Sequence, residues 1–201
     1  MPVVKMTEIG IGDIVVLLGP PAGGKTAPRE ALEREGGYHP GVCYDIVMAS
    51  AGDDSSLGEI ANAAELWEDR KVNLAMMRHL SRMGLDSKHV LDGYPRTRNQ
   101  AELLRGYAGA IRAGLRVIRL GVPYEVCRDR VLERCRERER QGLPLRKDDD
   151  PVRHQKRYAD YLVYSEEILR FCMEEGIPVH EIDAQKSKAE VCREVCAIVL
   201  R

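Results

Sequence analysis

The sequence matches the pattern G-x-x-x-x-G-K-[ST] at every fixed position, in the residues Gly19-Pro20-Pro21-Ala22-Gly23-Gly24-Lys25-Thr26. Just before this stretch, residues 14–18 form a short run of β-branched residues and leucines, which predicts a buried parallel strand. Just after it, residues 25–35 predict a helix that ends at a pair of glycines. A glycine-rich turn in this setting lets several backbone N–H groups converge on phosphate oxygens beside a helix N-terminus. The stretch therefore predicts a binding site for a nucleoside triphosphate, but it does not indicate which reaction follows.

Individual residues of this loop suit individual tasks. Lys25 is expected to reach the β- and γ-phosphates as a point charge, and Thr26 is expected to bind Mg²⁺ through its hydroxyl group. The residues expected to cradle the phosphates of the nucleoside triphosphate are Gly19, Ala22, Gly23, Gly24, Lys25 and Thr26. The alternative, an ordinary glycine turn with a surface lysine, is disfavoured because the predicted strand and helix flank the loop as the motif requires.

Strand and helix patterns alternate along the rest of the chain. Further strands are predicted at residues 42–48, 89–92, 116–120 and 177–182. Further helices are predicted at residues 125–140, 151–175 and 188–200, and apolar residues between 66 and 80 recur at helical intervals. Because such alternation is typical of parallel sheets, the sequence predicts an α/β protein whose parallel sheet has helices on both faces.

Composition and charge narrow the classes of function. The 201 residues suit one compact domain, and 31 Lys and Arg against 32 Asp and Glu give a net charge of -1. A nucleic-acid-binding protein would carry a basic excess, so we expect no nucleic-acid partner. No apolar run approaches the roughly 20 residues that span a bilayer, which favours a cytoplasmic protein without a membrane partner. The six cysteines form no C-x2-C pair, so we expect reduced thiols rather than a zinc site.

The segment after the third predicted strand resembles a family signature. It reads His89-Val90-Leu91-Asp92-Gly93-Tyr94-Pro95-Arg96-Thr97-Arg98-Asn99-Gln100, which resembles the D-G-[FY]-P-R-T-x-x-Q signature of adenylate kinases. Asp92, at the carboxyl end of a strand, is suited to order water on Mg²⁺. The resemblance implies that Gly93, Arg96 and Gln100 bind the acceptor nucleotide. Arg96 would grip its phosphate, and Gln100 would hydrogen-bond to the edge of its base.

A group of cationic residues resembles the mobile lid of the same family. Arg130 and Arg134 match its R-x-x-x-R helix, while Arg146 begins a match to R-x-D-D that ends at Asp149. Arg157 falls where the family has another arginine. By resemblance, Arg130 and Arg134 close over ATP, and the other two arginines hold the acceptor and the migrating phosphoryl group. Phosphoryl transfer needs such cations because its transition state spreads negative charge over the equatorial oxygens. The catalytic set implied by the resemblance is Lys25, Arg96, Arg134, Arg146 and Arg157.

The resemblance extends from residue 14 to the last predicted helix. It implies a five-stranded parallel sheet core within one domain that spans residues 1–201. It also implies a small acceptor-binding insert at about residues 43–72 and a short lid at about residues 138–150. The lid contains no cysteine pair, which excludes the zinc-binding long-lid variety. We expect a monomer whose partners are the small-molecule nucleotides ATP and AMP.

The acceptor side departs from the family pattern. Adenylate kinases have a T-G-D-x-x-R segment here, whereas this chain has Cys43-Tyr44-Asp45-Ile46-Val47-Met48. Asp45 is kept as a substrate-binding residue, but the phosphate-gripping arginine is replaced by Met48. A thioether cannot make the charge-assisted contacts of a guanidinium group, which contribute about 1.5–3 kcal/mol each. Arg70 or Lys71 could substitute, although a solvated helix face is the commoner role for such residues.

Three functions remain open at the level of the sequence. The first is adenylate kinase activity, ATP + AMP ⇌ 2 ADP with Mg²⁺, which Thr97 and Gln100 favour because the related UMP/CMP kinases resemble D-G-F-P-R-N. The second is a UMP/CMP or other nucleoside monophosphate kinase with an altered acceptor site, which Met48 and Cys43 permit. The third is a catalytically weak nucleotide-binding module that regulates a partner. The intact cationic set argues against the third.

Overall fold

A parallel sheet of five strands runs through the residues that the computed structural model describes, which are 12–51, 69–145 and 149–201. The strands are β1 (Asp13–Leu18), β2 (His39–Val42), β3 (Lys88–Asp92), β4 (Gly114–Gly121) and β5 (Val179–Asp183). Their order across the sheet is β2-β3-β1-β4-β5, and every neighbouring pair is parallel. This arrangement confirms the predicted α/β class and the five-stranded parallel core.

Seven helices connect and cover these strands within the same described residues. They are α1 (Thr26–Gly36), α2 (Cys43–Ala51), α3 (Asp69–Arg82), α4 (Arg98–Ala110), α5 (Tyr124–Arg140), α6 (Pro151–Glu174) and α7 (Lys188–Val199). The beginnings of α6 and α7 follow standard capping chemistry. The Ser187 hydroxyl accepts from the Glu190 backbone N–H in a capping box, and Asp150 caps α6 by accepting from the Arg153 N–H.

The core consists of two apolar layers, one on each face of the sheet. All six residues of the central strand β1 are buried, and their side chains alternate between the layers. Ile14 and Val16 pack with residues of α3, α4 and α6, whereas Val15 and Leu17 pack with residues of α1, α5 and α7. The prediction of helices on both faces is therefore confirmed.

One predicted strand is wrong. Residues 42–48 were expected to form the second strand, but β2 ends at Val42 and the helix α2 begins at Cys43. The burial pattern gives the reason, since Cys43 and Val47 are buried while Tyr44 and Asp45 are exposed. Buried positions four residues apart lie on one helix face, and a short apolar run of this length fits a helix or a strand equally well.

The predicted insert and lid lie partly outside the described residues. Of the insert at about 43–72, residues 52–68 fall outside, and of the lid at about 138–150, residues 146–148 fall outside. Among the described residues, no helix has both the length and the apolar character that crossing a bilayer requires. The six cysteines are free thiols, of which Cys43, Cys127 and Cys172 are buried.

Three histidines meet where strands β2 and β3 are covered by α3. The ring of His89 lies with its centroid 6.0 Å from that of His39 and 6.2 Å from that of His79. His89 is only 1% exposed, and neither of its ring nitrogens has a hydrogen-bond partner within the described part of the chain. Burial, reinforced by the two neighbouring histidines, lowers the pKa of His89 from 6.5 to about 4.

This depressed pKa predicts a specific loss of stability in acid. Between pH 6.5 and pH 4 the unfolded chain binds a proton at His89 that the folded chain excludes, so the free energy of unfolding falls as the pH falls. The expected slope from this group is about 1.4 kcal/mol per pH unit, and about 3 kcal/mol in total. Denaturant titrations from pH 7 to pH 4.5 should show a shallower loss for His89→Leu than for the wild-type chain. Equal slopes for His89→Leu and wild type would contradict the assignment.

Candidate functional site

The topology brings the predicted phosphate loop and the Asp92 segment to the same edge of the sheet. Strand β3 lies directly beside β1, and Leu17 is paired with Asp92 in the register of the two strands. Both strands end here, so the loop that follows β1 and the segment that follows β3 leave the sheet side by side. Ligands of open parallel sheets bind at this carboxyl edge.

The loop between β1 and α1 is held in a curled conformation by its own backbone. The Gly23 N–H donates to the Pro20 carbonyl oxygen over 2.9 Å, and Ala22 and Gly24 both have positive φ angles, 57° and 91°. A Cβ atom at position 23 would lie 2.8 Å from the Pro20 oxygen, closer than real Cβ contacts come. A glycine is therefore required at position 23, which the pattern G-x-x-x-x-G-K-[ST] leaves open.

The side chain of Lys25 folds back over this loop. Its Nζ donates to the carbonyl oxygens of Gly19 and Pro20, both at 2.9 Å, and lies 3.8 Å from Oδ1 of Asp92. Burial lowers the pKa of Lys25; Asp92 opposes this shift, while Arg96 and Arg157 add to it. The charges around Lys25 are therefore one carboxylate and two further cations. Such a surplus of positive charge favours a polyanionic ligand.

Arg96 reaches this cluster from the segment after β3. Gly93 has a φ of +80°, and a Cβ atom there would lie 2.9 Å from Nη2 of Arg96, so the guanidinium group packs against a backbone that only glycine leaves open. Its Nε is buried and has no hydrogen-bond partner within the described residues. A buried guanidinium N–H that lacks an acceptor is suited to bind an anion that offers several oxygen atoms.

The amide of Gln100 is already engaged in the structure. Its Oε1 accepts from the Arg96 backbone N–H over 2.7 Å, and its Nε2 donates to Oδ1 of Asp69 over 2.8 Å. The other oxygen of Asp69 accepts from the Thr97 hydroxyl over 2.8 Å. Gln100 is only 3% exposed, so it lies inside a polar network rather than open on a surface. No local motif indicates the role of Asp69, because its partners are 28 and 31 residues away along the chain.

The arginines of α5 contact different parts of the site. Arg130 donates from Nη2 to the Ala184 carbonyl oxygen over 2.6 Å and from Nη1 to the Ala22 carbonyl oxygen over 3.5 Å, so it joins the loop after β1 to the turn after β5. Arg134 forms an ion pair with Asp149, whose side chain is 1% exposed. Arg130 therefore lies at the phosphate loop, while Arg134 is tied to a carboxylate at the beginning of α6.

The remaining predicted site residues are more dispersed. Thr26 is exposed in the first turn of α1, and Asp45 is exposed on α2. Arg157, on α6, is half-buried and close enough to Lys25 to influence its pKa. Arg146 lies outside the described residues.

One residue beside the loop was missed by the sequence analysis. His154 of α6 is buried, its Nε2 lies 3.4 Å from the Pro21 carbonyl oxygen, and its ring stacks on Tyr124 with centroids 5.7 Å apart. His154 therefore connects the loop between β1 and α1 to helices α5 and α6. No local motif indicates this contact, because His154 and Pro21 are 133 positions apart.

A strand, a curled glycine-rich loop with a folded-back lysine, and a helix define a P-loop nucleotide-binding protein with an α/β fold. No family model matches the chain. The chain is 31% identical to the adenylate kinase of Anaeromyxobacter sp. over 194 residues, which cover 82% of this chain and 89% of that protein. It is also 31% identical to the adenylate kinase of Bartonella tribocorum over 192 residues, 89% of this chain and 95% of that protein. The adenylate kinase of Chelativorans sp. is 26% identical over 93% of this chain and 98% of its own length. The chain belongs to the adenylate kinase family, and it is a phosphotransferase.

The close packing at Gly23 gives a test of the loop. The added methyl group of Gly23→Ala overlaps the Pro20 carbonyl oxygen, and relieving such overlap costs about 1–3 kcal/mol. We expect the dissociation constant for ATP, measured by calorimetry, to rise about tenfold or more. Gly106→Ala is the matched control, because a Cβ atom there meets nothing within 4 Å. ATP binding that is equally strong in both variants would contradict the role of this loop.

Proposed function

We propose that this chain catalyses Mg-dependent phosphoryl transfer from ATP to AMP, ATP + AMP ⇌ 2 ADP. The observation that carries the proposal is the position of Lys25. Its Nζ donates to two carbonyl oxygens of the loop, lies 3.8 Å from Oδ1 of Asp92 and is close to Arg96 and Arg157. A cationic cluster around a phosphate loop is what a reaction between two phosphorylated nucleotides requires. The names of the relatives support adenylate kinase as the activity.

ATP would bind along the loop from Gly19 to Thr26, with its phosphates against the loop backbone and Lys25. The phosphates would displace the carbonyl contacts of the lysine, because an ammonium group gains more from a phosphate oxygen than from a neutral carbonyl. Arg130 already contacts the loop, and Arg134 lies one helical turn further along α5. We propose that both face the triphosphate when the lid at about residues 138–150 closes and excludes water.

Mg²⁺ fits the oxygen donors at this edge of the sheet. The exposed hydroxyl of Thr26 and the half-buried carboxylate of Asp92, which lies 3.8 Å from Nζ of Lys25, are hard oxygen groups. Thr26 would ligate the ion directly, and Asp92 would hold it largely through water. When bound, the ion would supply neutralisation of the charge on the β- and γ-phosphates.

The acceptor would bind between the Asp92 segment and the insert at about residues 43–72. We assign its phosphate to Arg96, Arg157 and Arg146, and its remaining contacts to Gly93, Gln100 and Asp45. The Nε of Arg96 is buried without a hydrogen-bond partner in the part of the chain that the structure describes, which supports the phosphate assignment, since such a nitrogen gains from an anion.

The chemical step needs no covalent intermediate on the protein. A phosphate oxygen of AMP attacks the γ-phosphorus in line, a new P–O bond forms, and the bond to the β–γ bridging oxygen breaks to release ADP. The chain contributes positioning and positive charge. Lys25 and the arginines would stabilise the negative charge that spreads over the equatorial oxygens.

A different acceptor is the second candidate, and Met48 is the observation that favours it. Met48 is half-buried on α2, where an arginine stands in the family pattern. The neighbouring Cys43 is buried, and burial raises its pKa to about 11, so its thiol stays neutral and adds no charge. Without that arginine the protein binds the acceptor phosphate more weakly. Contacts with the acceptor base then determine more of the selectivity among nucleoside monophosphates.

We also propose that the protein acts in the cytoplasm as a monomer. The six free thiols support a reducing compartment.

The direct test of the catalytic role is Lys25→Met. Removing the ammonium group should lower kcat for ADP formation by about a thousandfold while the thermal unfolding transition stays cooperative. Lys88→Met, an exposed lysine at the opposite end of the neighbouring strand, is the control and should keep near-normal turnover. Near-normal turnover in Lys25→Met would refute the assignment.

Restoring the family's arginine gives a test of the acceptor side. Met48→Arg should lower KM for AMP about tenfold or more, because one guanidinium contact to a phosphate contributes about 1.5–3 kcal/mol. KM for ATP should stay within about twofold, since the donor phosphates bind elsewhere. Met48→Leu controls for the change of shape without charge. An unchanged KM for AMP in Met48→Arg would show that position 48 does not face the acceptor phosphate.

A further inference from the structure

One carboxylate on α3 binds two side chains at the beginning of α4. Asp69 accepts from the Gln100 amide through Oδ1 and from the Thr97 hydroxyl through Oδ2, both over 2.8 Å. Thr97 also caps α4, because its side chain accepts from the Gln100 backbone N–H. The carboxylate therefore holds the first turn of α4 at two points.

This network leaves the Gln100 amide only one orientation. Its oxygen faces the Arg96 backbone N–H over 2.7 Å, and its nitrogen faces the Asp69 carboxylate over 2.8 Å. Turning the amide over would set a donor against the Arg96 N–H and an acceptor against a carboxylate. Both contacts would become repulsive. The positions of the Gln100 amide oxygen and amide nitrogen are therefore fixed.

A fixed amide can recognise only one pattern of donor and acceptor. A glutamine side chain has two N–H donors and two acceptor lone pairs, and one of each is used in the network. One N–H and one lone pair remain for a ligand. Adenine presents an N1 acceptor next to an N6 donor, whereas guanine presents an N1–H donor next to an O6 acceptor. The two purines thus require opposite orientations of the same amide.

We propose that Asp69 is the positioning residue that makes the acceptor site select between adenine and guanine, by locking the orientation of the Gln100 amide. This inference rests on the proposed function, since it takes Gln100 to face the acceptor base. The Asp69 carboxylate also acts on Arg96 indirectly, through Gln100. The Gln100 amide oxygen that it orients accepts a hydrogen bond from the Arg96 backbone N–H.

Asp69 is not the sole attachment of α3 to this segment. Nδ2 of Asn73 donates to Oδ1 of Asn99 over 2.9 Å, and the Tyr94 hydroxyl donates to Oδ1 of Asn73 over 2.9 Å. Val72, Ala75 and Met76 of α3 are also buried in the core. Helix α3 therefore keeps polar and apolar contacts when the carboxylate is replaced, so a substitution at position 69 can be examined in a folded protein.

The test is Asp69→Asn, with AMP and GMP compared in the same assay. The new amide can accept from Gln100 Nε2 in one orientation and donate to Gln100 Oε1 in the other, so the Arg96 N–H alone still distinguishes the two orientations and the lock is weakened. We expect the ratio of kcat/KM for AMP to kcat/KM for GMP to fall about tenfold, with KM for ATP unchanged within about twofold. Asp69→Glu, which keeps the carboxylate, should recover part of the ratio.

A purely structural role predicts a different result. Loosening α3 would lower kcat/KM for both purines together and leave their ratio unchanged, and that outcome overturns the proposal. Asp13→Asn is the matched control, because Asp13 is a carboxylate that pairs with Tyr38 and Arg116 at the opposite end of the sheet. It should lower the melting temperature without changing the AMP-to-GMP ratio. If Asp69→Asn fails to fold, Asp69→Ser tests the same loss of the carboxylate.

The wild-type chain separates this inference from the proposed function. Absence of turnover with AMP would refute the proposed activity, and the ratio of AMP to GMP dissociation constants, measured by calorimetry, would still test the role of Asp69. Equal affinity of the wild-type chain for both purine monophosphates overturns the inference even if AMP is phosphorylated.

Discussion

The structure depends on holding one ammonium group at the carboxyl edge of a parallel sheet. Lys25 is at the end of a curled loop, and it stays there because two carbonyl oxygens of that loop and one carboxylate of the next strand surround its Nζ. Burial lowers its pKa and so disfavours the charged form, and Asp92 offsets part of that effect. A phosphate group that enters the loop would supply the remaining negative charge.

The order of the strands makes this arrangement possible. Because β3 lies beside β1, the segment that carries Asp92 and Arg96 leaves the sheet next to the phosphate loop, although it lies far along the chain. Helices α5 and α6 then bring Arg130 and His154 to the other sides of the loop. The loop therefore receives contacts from its own backbone carbonyl groups, from the strand next to β1 and from side chains of two helices. This is expected at the carboxyl edge of an α/β sheet, where such proteins bind their ligands.

The features that could be predicted from the sequence are those that short local patterns encode. The parallel sheet and the positions of most helices follow from short-range periodicity, the phosphate loop from a motif with fixed spacing, and the number of five strands from the family resemblance. The strand predicted at residues 42–48 was wrong, because a short apolar run fits both periods and burial at Cys43 and Val47 selects the helix. The carboxylate of Asp69 and the imidazole of His154 could not be assigned in advance. Their partners come from distant parts of the chain, and only the folded sheet brings them together.

We propose that this site brings two nucleotides together and transfers a phosphoryl group between them. The most direct measurement is the formation of ADP from Mg·ATP with AMP, CMP, UMP, GMP and dAMP as parallel acceptors, each with a control for ATP hydrolysis. We expect rapid turnover with AMP, slow turnover with the other bases and little hydrolysis without an acceptor. Measurable ATP binding without turnover on any of the five acceptors would contradict this proposal and would indicate a nucleotide-binding module instead.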